Sequence, residues 1–218
     1  MSLAPYVVMG GTFDPIHHGH LRTALEIQQW LGVDRVYLMP AKRPVHREAP
    51  GCSAKDRLAM VQCAVADEAA LGCDPREIES DEASYTVLTL ERLRAQLGPT
   101  TPIVISMGMD AFMGLDQWYR YQELLTLANI VVVARPGYEC TPNAAIQALI
   151  DRHQTSDVRL MTTTPHGVLM IQELTPLDVS ATQIRTQLGT GVSPRYLLPD
   201  VVLNYIYDNA LYHSGSEH

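Results

Sequence analysis

Residues 5–20 read Pro-Tyr-Val-Val-Met-Gly-Gly-Thr-Phe-Asp-Pro-Ile-His-His-Gly-His, and this stretch indicates the fold. Its apolar start predicts a buried strand at 5–9, which Gly10 and Gly11 close. The loop that follows runs into a helix predicted at 19–31, where the apolar residues recur at helical spacing. A buried strand, a tight loop and a helix are the usual beginning of an α/β fold.

The rest of the chain alternates short apolar segments with helical ones. Further strands are predicted at 35–39, 76–80, 103–107, 130–134 and 168–174. Further helices are predicted at 53–71, 85–97, 142–153, 180–188 and 199–211, with shorter helical stretches near Trp118 and at 124–127. This alternation is typical of a Rossmann-like, doubly wound parallel sheet with helices on both faces. We predict one domain over residues 1–218, in which about 178–218 form a small C-terminal helical extension.

Composition excludes several classes of protein. The 218 residues are 46% hydrophobic and 18% charged, as in ordinary globular domains. No apolar run approaches the ~18 residues that a membrane span needs, and no signal-peptide pattern opens the chain. Sixteen Lys and Arg against twenty-four Asp and Glu give a net charge of −8. An acidic chain is a poor general binder of polyanions, so we expect no nucleic-acid partner.

The cysteines indicate a reducing compartment. Cys52, Cys63, Cys73 and Cys140 form no Cys-x-x-Cys pair, so a zinc knuckle or a redox pair is disfavoured. We expect reduced thiols and a cytoplasmic protein. The sequence allows a homo-oligomer but does not indicate one.

The loop after the first strand carries the strongest chemical pattern. Ligands of open parallel sheets bind at the carboxyl ends of the strands, where this loop lies. A helix N-terminus offers free N–H groups to an anion, and His17 and His20 share one face of its first turn. Two imidazoles there can donate to phosphate oxygens. The alternatives are a tight turn with exposed histidines, or a zinc site, for which no further ligands are evident. The loop matches neither Gly-x-Gly-x-x-Gly nor the P-loop pattern.

Two separated segments together resemble a known superfamily. Residues 10–15 followed by His-x-Gly-His at 17–20 resemble the HxGH nucleotidyltransferases, whose second signature, Ser/Thr-x-Thr-x-x-Arg, is matched at 180–185. Ser180 is a good helix N-cap, and Gln183 completes a capping-box pattern. Thr182 and Arg185 share a face near the positive end of the predicted helix, which favours a second phosphate cradle.

Further segments are similar to those of the nicotinate-nucleotide adenylyltransferase family. These segments are the basic loop 42–47 (with Val45 where the family usually has proline), Ser84-Tyr85-Thr86, Gly108-Met109-Asp110, Trp118-Tyr119 and Arg135-Pro136-Gly137. The resemblance covers nearly the whole chain. It implies adenylyl transfer from ATP to nicotinate mononucleotide, with Mg²⁺ held by the ATP phosphates and water rather than by protein ligands.

The resemblance also implies a role for each matched residue. The catalytic residues would be His17, His20, Lys42 and Arg185. The nucleotide-binding residues would be Gly10, Gly11, Thr12, Phe13, His46, Gly108, Asp110, Arg135, Ser180 and Thr182. The nicotinate-binding residues would be Tyr85, Thr86, Trp118 and Tyr119.

Three alternatives remain open. The acceptor could be nicotinamide mononucleotide or another phosphorylated compound, because the sequence does not show which pyridine substituent the site rejects. A non-catalytic nucleotide sensor would need the same cradle without working catalytic groups. A dehydrogenase is disfavoured because the dinucleotide-binding glycine pattern is missing.

Overall fold

A computed structural model describes residues 4–42, 51–80, 82–134, 137, 141–175 and 177–212. The predicted site residues His46 and Arg135 lie outside these residues. Within them, one sheet is formed by the strands β1 (Tyr6–Gly11), β2 (Val36–Pro40), β3 (Leu71–Cys73), β4 (Ile103–Gly108), β5 (Asn129–Ala134) and β6 (Leu169–Glu173).

The helices of the same ranges connect and flank these strands. They are α1 (His18–Leu31), α2 (Ala54–Val65), α3 (Arg76–Glu79), α4 (Thr86–Leu97), α5 (Met109–Met113), α6 (Leu124–Leu127), α7 (Ala144–His153), α8 (Arg159–Thr163), α9 (Ala181–Gly189) and α10 (Asp200–Asp208). Two 3₁₀ turns, Leu115–Gln117 and Tyr121–Glu123, lie between α5 and α6. In the described part of the chain no helix combines the length and the apolar character that crossing a membrane requires.

The strand order places a crevice at the middle of the sheet. The order is β3-β2-β1-β4-β5-β6, and every neighbouring pair is parallel. The chain therefore reverses its direction of winding between β1 and β4, and ligands of doubly wound sheets bind outside the carboxyl ends of the strands at such a point. The Rossmann-like α/β fold predicted from the alternating segments is confirmed.

The two faces of the sheet have separate cores because successive strand side chains point to opposite sides. Val7 of β1 lies in one core with buried side chains of α1, α2, α9 and α10, whereas Val8 lies in the other core with those of α4 and α7. The C-terminal helices thus share a core with the first two helices, and the Tyr205 hydroxyl donates to Asp56 Oδ1 over 3.1 Å.

Two secondary-structure predictions are wrong. Residues 76–80 form the helix α3 and not a strand, because the Asp74 carboxylate accepts from the Arg76 amide over 3.1 Å and starts a helical turn after Pro75. The helix predicted at 53–71 ends at Val65; residues 66–70 form no regular element, and Leu71 already belongs to β3. Ser53 does cap α2, since its hydroxyl accepts from the Asp56 amide over 3.1 Å.

Candidate active site

A cleft crosses the carboxyl ends of the central strands. Its volume is about 1050 Å³, which exceeds the roughly 300–1,000 Å³ of ordinary small-molecule sites and suits two ligands lying side by side. It is lined by the predicted residues Gly10, Gly11, Thr12, Phe13, His17, His20, Tyr85, Thr86, Gly108, Asp110, Trp118, Tyr119, Ser180, Thr182 and Arg185. The fold therefore brings both sequence signatures to one place.

Among the predicted site residues that the structure describes, Lys42 is the one that does not line this cleft. Its ammonium donates to the Ser80 carbonyl, and its backbone amide donates to Ser84 Oγ over 3.1 Å. The side chain is thus turned towards the segment between α3 and α4. A role for Lys42 on ATP requires the ammonium to leave Ser80.

The two histidines of the first loop form a stacked pair. Their ring centroids are 3.7 Å apart with 21° between the planes. Phe13, which is buried, presents its ring edge-on to His20 at 5.0 Å. Gly19 permits this arrangement, because a Cβ there would lie 3.0 Å from Cε1 and Nδ1 of His17. The glycine of the motif thus leaves space for the first imidazole.

His17 is neutral near pH 7. Burial is the main reason that the pKa of His17 is lowered to about 4, and the neighbouring charge of His18 lowers it further. Its Nδ1 is buried without a hydrogen-bond partner among the described residues, although the side chain lines the cleft. An unpartnered buried polar atom beside a cleft indicates a place for a ligand group. His17 therefore offers a ligand a hydrogen bond and not a positive charge.

Arg185 enters the cleft from α9, on the far side of the first loop. Its Nη1 donates to the Asp14 carbonyl over 2.7 Å and lies 3.6 Å from the Asp14 carboxylate. Its Nη2 donates to Thr182 Oγ1 over 3.3 Å, and Ser180 caps the helix by accepting from the Gln183 amide over 3.2 Å. The guanidinium is fixed on two sides, and the Arg185 side chain is 34% exposed, which leaves donors for a ligand in the cleft.

The opposite end of the cleft is aromatic. The rings of Tyr85 and Tyr119 are 4.8 Å apart and tilted by 42°, and Trp118 is partly buried against the second core. Tyr85 is the N-cap of α4 and Thr86 is its first residue, so free amides of a twelve-residue helix face this region. Planar rings beside a helix N-terminus suit a planar ligand that carries a negative charge.

The described cleft contains no built metal site. No group of three or more His, Cys, Asp or Glu side chains is arranged to hold a metal ion within the described ranges. Cys52, Cys63 and Cys73 are free thiols. Burial raises the pKa of Cys52 to about 12, so this thiol stays protonated and is a poor nucleophile.

Comparison with known proteins identifies the family. The cytidylyltransferase-like family profile matches residues 8–187. A probable nicotinate-nucleotide adenylyltransferase of Aeromonas hydrophila is 44% identical over 97% of this chain and 99% of its own length. A probable enzyme of the same name from Pseudomonas fluorescens is 46% identical over 94% of this chain and 95% of its own length. The chain belongs to the nicotinate-nucleotide adenylyltransferase family.

Solved structures agree with this family fold. The nicotinic acid mononucleotide adenylyltransferase of Plasmodium falciparum, solved in complex with NaAD, aligns with a TM-score of 0.71 over 96% of this chain and 97% of its own, at 14% identity. A putative nicotinate-nucleotide adenylyltransferase of Vibrio parahaemolyticus aligns with a TM-score of 0.60 over 98% of both chains, at 16% identity. At these identities the likeness concerns the fold alone.

The structure of this nicotinate-nucleotide adenylyltransferase family member shows two acidic residues that the sequence analysis assigned no role. The buried Asp14 carboxylate accepts from the Gly51 amide over 2.8 Å and from the Tyr212 hydroxyl over 2.7 Å, so it joins the first loop to two distant segments. Glu77 lines the cleft, where Thr89 Oγ1 donates to it over 2.8 Å and Ser84 also bonds to it. Burial raises the pKa of Glu77. In the sequence, the Gly-Thr-Phe-Asp motif was the one feature that pointed to Asp14. Glu77 was missed because residues 76–80 were predicted as a strand.

We expect the buried His17 to make the protein's stability depend on pH. Because its pKa is about 4 when folded and 6.5 when unfolded, the unfolded chain binds a proton first as the pH falls. The free energy of unfolding should therefore fall between about pH 6.5 and pH 4 by about 3 kcal/mol from this residue. Urea unfolding across that pH range should show that the free energy of unfolding depends less steeply on pH in His17→Gln than in the wild type. Equal slopes in both proteins would contradict the burial of a neutral imidazole.

Gly11 provides a second test of local packing. A Cβ at Gly11 would lie 2.8 Å from Cζ of Phe13, whereas a Cβ at Gly10 has nothing within 4 Å. We expect Gly11→Ala to lower the free energy of unfolding by about 1–3 kcal/mol, because it displaces a ring packed against His20. Gly10→Ala is the matched control and should unfold like the wild type. Equal stability of the two variants would show that Phe13 moves without cost.

Proposed function

We propose that this cleft transfers the adenylyl group of ATP to nicotinate mononucleotide, giving deamido-NAD and pyrophosphate. One observation carries the proposal: His20 of α1 and Arg185 of α9 line the same cleft at the carboxyl ends of the central strands. Both curated relatives compared above bear the name of this activity. The size of the cleft and its two chemically different ends suit two nucleotides.

The reaction needs positioning and charge stabilisation more than a protein nucleophile. An oxygen of the acceptor's 5′-phosphate forms a bond to the α-phosphorus of ATP. The bond from that phosphorus to the oxygen bridging to the β-phosphate breaks, and this oxygen leaves with both electrons as part of pyrophosphate. The attacking phosphate is already ionised, so no general base is required. Preorganised donors around the phosphates supply the rate enhancement.

The polar end of the cleft is assigned to the triphosphate. His17 and His20 donate to the ATP phosphates, with His20 nearest the α-phosphate. Arg185, aligned by Thr182, and the N-terminus of α9 at Ser180 hold the β- and γ-phosphates. Gly10, Gly11, Thr12 and Phe13 line the nucleotide channel.

The basic loop completes the triphosphate site in this proposal. Lys42 and His46 cover the triphosphate from the loop that begins at Lys42, after the ammonium leaves Ser80. His46 and the nucleotide-binding Arg135 are assigned by motif alone, because both lie outside the described residues.

The aromatic end is assigned to the acceptor. Trp118 and Tyr119 stack on the pyridine ring, while Thr86 and the first amides of α4, which follow Tyr85, receive the nicotinate carboxylate. Gly108 leaves open space at the end of β4, since a Cβ there has nothing within 4 Å. Asp110, one residue into α5, accepts from a ribose hydroxyl.

Magnesium belongs to this proposal as part of the ATP substrate. The described carboxylate beside the phosphate end is already engaged, because Asp14 accepts from Gly51 and Tyr212. An ion carried by the phosphates and water fits this donor set, as Mg²⁺ keeps several of its waters. The ion neutralises phosphate charge.

A cytoplasmic location completes the proposal, because the described cysteines are free thiols.

Pyrophosphate release with four acceptors offered in parallel tests the proposal. The purified protein receives ATP and Mg²⁺ with nicotinate mononucleotide, nicotinamide mononucleotide, phosphopantetheine or glycerol phosphate. We expect the fastest release, and a dinucleotide product, with nicotinate mononucleotide. Faster pyrophosphate release with nicotinamide mononucleotide would show that this compound, and not nicotinate mononucleotide, is the acceptor. If ATP binds but pyrophosphate is released with none of the four acceptors, the result would favour a nucleotide sensor.

A further inference from the structure

Arg57 is a buried cation directly behind the first loop. It lies on α2, one turn from the N-cap Ser53, and is 0% exposed. Its Nη1 donates to the Thr12 carbonyl over 2.7 Å, and its Nη2 donates to the Lys42 carbonyl over 3.1 Å. One guanidinium thus holds the glycine-containing loop and the start of the basic loop together.

The charge of Arg57 has no direct ion-pair partner in the described ranges. No Asp or Glu oxygen there lies within the 4.0 Å of a salt bridge to it, and its Nε has no hydrogen-bond partner. Asp14 is the acidic group near enough to act on it electrostatically. That carboxylate also accepts from Gly51 and Tyr212 and lies 3.6 Å from Arg185. Burying a cation with incomplete compensation is costly, so a further anion nearby would be favoured.

The hydrogen bonds of Arg57 also orient the loop. Thr12 lines the cleft and Arg57 does not, so the Thr12 carbonyl is turned into the protein. Because a trans peptide group holds C=O and N–H on opposite sides, the Phe13 amide points away from Arg57. A carbonyl oxygen facing phosphates would repel them. Arg57 holds the Thr12 carbonyl oxygen away from the cleft in which the phosphates would lie.

We propose that Arg57 is a positioning residue for the polyphosphate of ATP, acting through the orientation of the Thr12 and Lys42 carbonyls and through its buried positive charge. The inference rests on the proposed function for the identity of the anion. It assigns Arg57 no contact with substrate. Its effect should therefore fall on binding of the phosphate chain and not on binding of the adenosine part.

Arg94 provides a matched control within the same fold. It also donates to backbone carbonyls: Nη1 to Gly98 and Thr101, and Nη2 to Leu127 and Pro165. These carbonyls lie before β4, β5 and β6, at the amino ends of the strands, and Arg94 does not line the cleft. Loss of Arg94 should destabilise the protein without weakening phosphate binding.

Calorimetric titration of the full chain separates these effects. The probes are inorganic tripolyphosphate and adenosine, and the variants are Arg57→Gln, Arg57→Lys and Arg94→Gln. We expect Arg57→Gln to weaken tripolyphosphate binding about tenfold or more. The reason is that the variant loses one positive charge close to the phosphates, where the effective dielectric constant lies between that of water and that of a dry protein interior. Adenosine binding should stay within about twofold, Arg57→Lys should recover part of the loss because it keeps the charge, and Arg94→Gln should match the wild type for both probes.

Each other outcome overturns the inference. Wild-type tripolyphosphate affinity in Arg57→Gln would show that the charge and the carbonyl orientation do not matter. An equal loss for both probes, or an equal loss in Arg94→Gln, would reduce Arg57 to a structural residue. If Arg57→Gln does not fold, Arg57→Lys decides, and an unchanged tripolyphosphate affinity there refutes the proposal. A protein that passes these tests but releases no pyrophosphate would refute the proposed function alone.

Discussion

We expect His20→Ala to lower kcat by about a hundredfold or more, because removing one preorganised donor costs about 3–4 kcal/mol of transition-state stabilisation. His20 lies on the first turn of α1, between the stacked ring of His17 and the edge of Phe13, and it lines the cleft. Those neighbours limit its orientations, so its hydrogen-bonding atoms are placed before substrate arrives. Steady-state pyrophosphate release at saturating substrates measures the effect.

The loss in His20→Ala should occur without unfolding. His20 is partly exposed, and the buried residues of α1 that anchor the helix are Leu21, Ala24, Ile27 and Leu31. The exposed His166, which is outside the cleft lining, gives the matched control His166→Ala. Normal turnover in His20→Ala, or an equal loss in the control, would remove His20 from the reaction.

The second large effect is expected from Arg185→Ala. This change should lower kcat/KM for ATP by about a hundredfold, because it removes a cation and several donors from the phosphate chain. Arg185→Lys should recover only part of this loss, since an ammonium cannot bond to Asp14, Thr182 and a phosphate with the geometry of a planar fork. Initial rates at varied ATP concentration separate the change in KM from the change in kcat.

Arg195 provides the control for Arg185. It belongs to the same C-terminal part of the chain, but its exposed guanidinium pairs with Asp200 over 2.9 Å and is not among the residues lining the cleft. Arg195→Ala should keep kcat/KM for ATP within about twofold, as expected for loss of an exposed ion pair. If Arg185→Ala behaves like Arg195→Ala, the C-terminal signature is structural.

Much of the site was predictable because its positions follow from regular structure. His17 and His20 are three residues apart at the start of a helix, and this spacing predicts that they share a face. Ser180 caps α9, and Thr182 and Arg185 share one face of that helix, as the pattern predicts. Parallel strands then bring loops distant in sequence to one edge of the sheet.

Other features depend on tertiary contacts that no local pattern encodes. Asp14 joins the first loop to Gly51 and Tyr212 through hydrogen bonds that span 37 and 198 positions of sequence. The burial of Arg57 contradicts the usual exposure of arginine, and only the packing of α2 beneath the first loop explains it. The low pKa of His17 follows mainly from the burial of its own side chain, which is likewise a tertiary effect.

Errors in secondary structure had a direct effect on the site. A strand was predicted at 76–80, but the Asp74-Pro75 pair starts α3, so Glu77 turns into the cleft beside Ser84. The ammonium of Lys42 meets the Ser80 carbonyl after the same helix. Both contacts depend on where a four-residue helix ends, which hydrophobic periodicity does not determine.

The central claim is that the two sequence signatures hold the same phosphate chain. A crystal structure of the protein with a non-hydrolysable ATP analogue tests this claim most directly. We predict that one triphosphate lies between α1 and α9, with His20 and Arg185 each within about 3.2 Å of its oxygens. A triphosphate bound away from either residue, with the adenine in the same cleft, would contradict the account.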